Sequence, residues 1–108
     1  MKIKVYLAVR TTEVQAEAIY EGDTITVLPG GTISDDFADY IRGGRSAKTY
    51  RENPEYVDGN RKILKGCTFT SPSTAAQFVT GRSKNGYKAW KVDKKTNLGT
   101  YLKENGLR

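Results

Sequence analysis

Phe69 to Trp90 reads FTSPSTAAQFVTGRSKNGYKAW, a stretch whose start and stop signals fall in register with its apolar pattern. Phe69 ends a short extended run that begins at Cys67. Ser71 then stands where a side-chain oxygen accepts a hydrogen bond from an unpaired amide of a first helical turn. Pro72 occupies the first helical position, where its missing N–H costs nothing and its fixed φ already suits a helix. Ala75, Phe78 and Val79 recur at i, i+3 and i+4 beside Ala76, giving an apolar stripe whose small members let a sheet approach closely. Gly81 supplies the left-handed residue that stops the helix. The spacing therefore predicts a helix over about 72–80. Beyond it, Asn85-Gly86 is a strong turn dipeptide. The alternation from Tyr87 to Val92 predicts a strand with Trp90 and Val92 on one face and Tyr87 and Ala89 on the other.

Working upstream, Lys2 to Val9 begins in polar/apolar alternation and ends in a more continuous apolar run, the pattern of a strand that becomes better buried along its length. Thr24 to Leu28 is β-branched and forms a second strand. Glu21-Gly22-Asp23 makes the turn before it. Glu13 to Tyr20 contains good helix formers, and the residues alone leave its state open. Pro29-Gly30-Gly31 closes the strand from Thr24, after which Ile33 is placed to resume the sheet. Ser34 followed by Asp35-Asp36, with Phe37, Tyr40 and Ile41 at helical spacing, predicts a short helix from Asp35 to Arg42. Arg45 to Pro54 has no clear period and fits a helical turn or a loop. Ile63-Leu64 supplies a pair of core residues, and Leu98, Tyr101 and Leu102 make a final helical turn. The expected fold class is α+β: a small, mainly antiparallel sheet packed on one central helix at about 72–80, with short flanking helices.

The segment SPSTAAQFVTGRSKNGYKAW resembles the SPSxAA…GxxxNGW/Y…W signature of a small domain of unknown function found at the C terminus of GIY-YIG endonucleases. That domain is similar to the RAMA (restriction-system adenine methylase associated) domain, for which a DNA-binding role is suggested. Ser71, Pro72, Ser73, Ala75, Ala76, Gly81, Arg82, Ser83, Asn85, Gly86 and Trp90 carry the likeness. Thr24 to Gly31 looks like the family's apolar strand and small-residue turn, so the resemblance runs from about Ala18 to Leu102, and in the family-like arrangement Ala16 to Tyr20 would be a further strand forming a hairpin with Thr24 to Leu28. Tyr87 stands where a Trp is common. The chain has no GIY or YIG tripeptide, so the nuclease chemistry of the fusions does not carry over. What the resemblance implies is a DNA-binding accessory role.

At 108 residues, the chain fits one domain over 1–108, since two cores of half this size would each be too small to offset the entropy of ordering them. No apolar run has the length of a membrane span or a secretory signal core. The expected location is the cytoplasm, with no membrane partner. The formal charge of +6 conceals an asymmetry. Residues 1–58 carry seven Lys/Arg against ten Asp/Glu, a net −3, whereas residues 59–108 carry eleven against two, a net +9. A basic half of this kind attracts polyanions without specifying a fold.

The chain contains no histidine, which removes the commonest general base and metal ligand. Asp35-Asp36-Asp39 is better explained by helix-start electrostatics than by a metal. Gly81 and Gly86 have phosphate-loop spacing, but Tyr87 follows where that loop needs Lys. Cys67 is the single cysteine and is expected to be a small buried hydrophobe. Neither catalysis nor a cofactor is expected.

Arg82, Lys84, Lys88, Lys91, Lys94 and Lys95 cluster in sequence with Tyr87 and Trp90 interleaved, offering cations for phosphates and planar rings for bases. Trp90 is assigned to the core, as the largest apolar side chain a small domain can bury. The nucleic-acid-binding set is thus Arg82, Lys84, Asn85, Tyr87, Lys88 and Lys91, with Ser71 and Ser73 at a helix start able to hold a phosphate. The function that the resemblance implies, and with which these residues are consistent, is a non-catalytic nucleic-acid-binding module with DNA as partner. The alternative is a protein-interaction module that docks onto a separately encoded nuclease or methylase through its acidic first half.

Overall fold

The computed structural model describes residues 2–9, 12–22, 24–37 and 45–107. Four strands form one sheet in the order β1-β2-β3-β4, every neighbouring pair antiparallel. They are β1 (Ile3–Ala8), β2 (Gln15–Tyr20), β3 (Ile25–Val27) and β4 (Cys67–Phe69). Between β3 and β4 lies helix α1 (Arg45–Glu52), and after β4 come α2 (Pro72–Thr80), α3 (Gly86–Ala89) and α4 (Leu98–Glu104). The class is α+β, with α2 packed on the apolar face of the sheet, α1 against α2 and β4, and α3 and α4 following on from α2.

Period-two patterning decides which face is buried. Ile3, Val5 and Leu7 of β1, Ala16, Ala18 and Tyr20 of β2, Ile25 and Val27 of β3, and Cys67 and Phe69 of β4 all point inward. They meet Ala75, Ala76, Phe78 and Val79 of α2, the stripe read from the sequence, together with Trp90, Leu98 and Leu102. The small residues on both sides, Ala16 and Ala18 against Ala75 and Ala76, leave room for α2 to lie close to the sheet.

The signals around α2 are realised in detail. Ser71 is extended at φ −145°, its Oγ accepts from Thr74 N, Pro72 opens the helix, and Gly81 ends it at φ 73° with its N–H on Gln77 O. There a side chain would be strained twice over, because a Cβ on Gly81 would also lie 2.0 Å from Asp36 O. The hairpin of β2 and β3 resolves the ambiguity at 13–20 in favour of strand, since burial alternates from Gln15 to Tyr20 with period two. Thr32 then bridges Gln15 on one side and Lys62 on the other, so the chain around Ile33 does return to the sheet's margin.

Three expectations need amendment, and one open reading is settled. Tyr87 to Val92 is not a strand: Asn85 Oδ1 accepts from Tyr87 N, and Asn85 O accepts from Lys88 N and Ala89 N, so the Asn-Gly pair starts the short helix α3 instead of a hairpin. Tyr87 and Trp90 reach the core together as an i, i+3 pair. Residues 35–37 are not helical, because Ser34 Oγ donates to Asp36 O rather than capping a helix, and Arg51 holds the carbonyls of Ser34 and Asp36. The remainder of the helix predicted to Arg42, with Asp39, Tyr40 and Ile41, lies outside the described residues. Leu64 is 45% exposed while its neighbour Ile63 is 1% exposed, so only one of that pair enters the core. Arg45 to Pro54, undecided from sequence, is helical over Arg45–Glu52.

Helix α1 has a weak apolar pattern because it buries only Ala47 and Arg51, with Tyr50 half-buried. The Tyr50 ring stands edge-on to Tyr56, Phe69 and Phe78, with centroids 4.9, 5.2 and 6.1 Å away. Arg51 donates to Phe78 O at 2.7 Å, Ser34 O at 2.6 Å and Asp36 O at 2.9 Å, and its guanidinium sits 5.1 Å from the Phe37 ring centroid. Burial brings its pKa down to about 10, still charged at neutral pH. One buried cation thus ties α1 to the end of α2 and to the 34–36 segment, a charge-assisted substitute for apolar packing.

Candidate functional site

The two helix starts of the signature segment are built against each other. A Cβ on Gly86 would fall 2.1 Å from Pro72 C and 2.3 Å from Ser73 N, so α3 begins in direct backbone contact with the first turn of α2. Ser73 Oγ accepts from Gly86 N at 3.0 Å, and Trp90 Nε1 donates to Pro72 O at 3.0 Å. Trp90 is 0% exposed. The motif residues Ser71, Pro72, Ser73, Gly86 and Trp90 therefore form one joint between α2 and α3. The hydroxyls of Ser71 and Ser73, both half-buried, serve that joint and the α2 cap.

After the joint the chain turns back to β1. Lys91 and Tyr6 exchange both backbone bonds, Tyr6 N to Lys91 O at 2.9 Å and Lys91 N to Tyr6 O at 2.8 Å, which covers the middle of the free edge of β1. As direct cross-strand partners, Lys91 and the 37% exposed Tyr6 share the outer face of the sheet. Between the end of β1 and α3 the structure leaves a groove of about 390 Å³, lined by Leu7, Ala8, Val9, Thr80, Lys84, Asn85, Lys88 and Ala89. Lys84, Asn85 and Lys88 stand exposed along it, and Leu7, Val9 and Ala89 supply apolar walls.

Of the residues singled out from the sequence, the fold brings together Lys84, Asn85 and Lys88. Arg82 is exposed but ion-paired with Asp36, so part of its charge is already answered. Tyr87 is half-buried and packs on the core. Sequence reasoning missed Leu7, Ala8 and Val9, the far wall of the groove, because only the β1 topology carries them to α3. Nothing in their local pattern marks them.

The charges are unevenly answered. The ion pairs among the described residues are Lys2–Glu21, Lys4–Glu17, Arg61–Asp35, Lys65–Glu55 and Arg82–Asp36, and each draws its acid from the first half of the chain. Among the described residues Arg45, Lys48 and Lys62 have no acidic partner within 4.0 Å, and neither does the run Lys84, Lys88, Lys91, Lys94, Lys95 and Lys103. Asp93 lies among them, but its Oδ1 accepts from the amides of Lys95 and Thr96 at 2.9 Å each. The Lys95 amide foremost holds its carboxyl below the ordinary value. Among the described residues no group of three or more acidic or thiol side chains is placed to hold a metal ion, and no helix is long and apolar enough to cross a membrane.

Residues 6–102 match the family described as Domain of unknown function (DUF4357). The chain belongs to this family. The DUF4357 match runs from the middle of β1 through α4 up to Leu102, so it takes in the helix joint, the Lys91–Tyr6 pairing and the whole groove. Comparison with curated proteins and with solved structures found no match.

Proposed function

We propose that this DUF4357 chain is a single-domain, non-catalytic nucleic-acid-binding module that grips DNA through its phosphates with modest sequence discrimination. The observation that carries the reading is the set of lysines from Lys84 to Lys103 left without acidic partners among the described residues, in a chain whose ion pairs there each draw their acid from its own first half. An exposed cation without a partner keeps its counterions loosely held and gains by exchanging them for phosphate. Lys84, Lys88 and Lys91 sit on or beside the rigid α2–α3 joint, and so are presented by a fixed scaffold. The likeness of the signature to the domain at the C terminus of GIY-YIG endonucleases, and to the RAMA domain, favours DNA over another polyanion. The lack of histidine and of clustered carboxylates on this side of the chain supports a binding role over a hydrolytic one.

Fluorescence anisotropy with a labelled random duplex at low ionic strength tests this. Wild-type protein is expected to bind, and Lys84→Ala/Lys88→Ala/Lys91→Ala to lose most of the affinity while keeping native NMR dispersion. Undetectable wild-type binding, or an unaffected triple variant, would move the function to docking on a separately encoded nuclease or methylase.

A further inference from the structure

The groove between β1 and α3 contains a feature that phosphate binding does not use. Tyr6 directs its backbone N–H and C=O away from β2, to Lys91. Gln15, opposite Ala8, likewise directs its own away from β1, to Thr32. Antiparallel pairs alternate in this respect, so Ala8, two residues after Tyr6, presents its N–H and C=O to the free edge. No partner for either occurs among the described residues. That edge is the wall of the groove facing Lys84, Asn85 and Lys88. Asn85 is exposed and its Oδ1 is engaged by Tyr87 N, which leaves its amide NH₂ as a further donor.

Three occupants suit three different parts of this geometry. A bare anion matches the lysines but meets the Ala8 carbonyl oxygen, which repels it. An added peptide strand gains its affinity from a run of main-chain bonds, and here the Lys91–Tyr6 pair blocks the edge immediately beyond Ala8. A nucleobase has a donor and an acceptor side by side on one edge, a flat apolar face for Leu7, Val9 and Ala89, and phosphates on either side for the two lysines. A volume of about 390 Å³ lies at the lower end of the roughly 300–1,000 Å³ span of small-ligand sites.

We infer that the groove receives one unpaired nucleobase of a bound strand, its hydrogen-bonding edge on the Ala8 backbone and Asn85, and its flanking phosphates on Lys84 and Lys88. This assignment rests on the nucleic-acid reading above and adds to it a site for a base taken out of the stack. Removing a base from a duplex forfeits its stacking and pairing, and is least costly where the base is already unpaired. The domain is therefore expected to prefer single strands, gapped duplexes or mismatches over perfect duplex.

The test uses the isotope-labelled full chain, titrated in parallel with deoxynucleoside monophosphates, the matching deoxynucleosides, inorganic phosphate and an acidic peptide. Expected are shifts of the Ala8 backbone amide and Asn85 side-chain amide with at least one nucleotide, weaker shifts with its nucleoside, and none at Ala8 with phosphate. Lys84→Ala/Lys88→Ala is expected to raise the nucleotide Kd by about tenfold, equivalent to one charged hydrogen bond. Ala8→Pro, which deletes the edge N–H at a position where an edge strand tolerates proline, is expected to abolish the Asn85 response. Should that variant fail to fold, the wild-type Ala8 shift still decides. Phosphate alone reproducing the whole response, or the peptide moving Ala8 while nucleotides do not, would overturn the assignment. Lysine-dependent duplex binding with Ala8 unmoved by every nucleotide would sink the base site and leave the phosphate-gripping reading intact. Absence of any nucleic-acid binding would sink that reading itself.

Discussion

Trp90 shows how one residue joins sequence signal to stability. It is the chain's single tryptophan, fully buried, and its indole N–H satisfies the Pro72 carbonyl at 3.0 Å. Trp90→Ala removes the largest buried side chain and orphans that carbonyl, so denaturant melts should show a loss of roughly 3–5 kcal/mol. Wild-type fluorescence should be blue-shifted until the protein unfolds, and a loss below about 1 kcal/mol would place the ring outside the core. Cys67 makes a second residue-scale case. Burial pushes its thiol from an ordinary 9.0 up to about 12. The folded chain therefore holds a proton that the unfolded chain releases between pH 9 and 12. Its contribution to stability is complete below pH 9 and is lost as the pH rises through that window. At pH 8 the folded protein should resist thiol reagents, with labelling only as fast as unfolding exposes Cys67. Rapid stoichiometric labelling of folded protein would contradict its burial.

At the scale of elements, the boundaries of α2 were legible because each had a local chemical cause: a serine cap, a proline at the first turn, a left-handed glycine. The hairpin of β2 and β3 was legible for the same reason on its second strand, and became certain only through cross-strand burial. Helix α3 was not legible. Asn-Gly signals a hairpin when strands flank it, but here Asn85 caps a helix, and Gly86 is needed for a different purpose, the contact with the α2 backbone. Tyr87 and Trp90 are compatible with either period over so short a run, and tertiary packing chose between them. Helix α1 escaped because its buried members are an alanine and an arginine, not an apolar stripe. The α2–α3 contact predicts that Gly86→Ala, which must displace backbone, costs about 1–3 kcal/mol. Gly59→Ala, with nothing within 4 Å of the added Cβ, should stay within about 0.5 kcal/mol. Equal, small effects of the two would mean that the helix starts are not in contact.

For the whole molecule, the division into an acidic first half and a basic second half was visible in the sequence, but its disposition was not. Folding sends acids of the first half to Arg61, Lys65 and Arg82, and leaves the lysines from Lys84 onward unanswered among the described residues. Arg82, the first cation chosen from sequence, is the one the fold partly neutralises, through an acid 46 residues away. Ala8, which no sequence pattern singles out, becomes the far wall of the groove because β1 is an edge strand. The claim that depends on all of this is that unpaired lysines around the α2–α3 joint take up phosphates. Its most direct test is the salt dependence of duplex binding. Each phosphate neutralised contributes about −0.9 to the slope of log K against log salt, so Lys84→Ala/Lys88→Ala should flatten the wild-type slope by roughly 1.8 with folding stability unchanged. A slope and affinity identical to wild type, in a variant with native NMR spectra, would contradict the account.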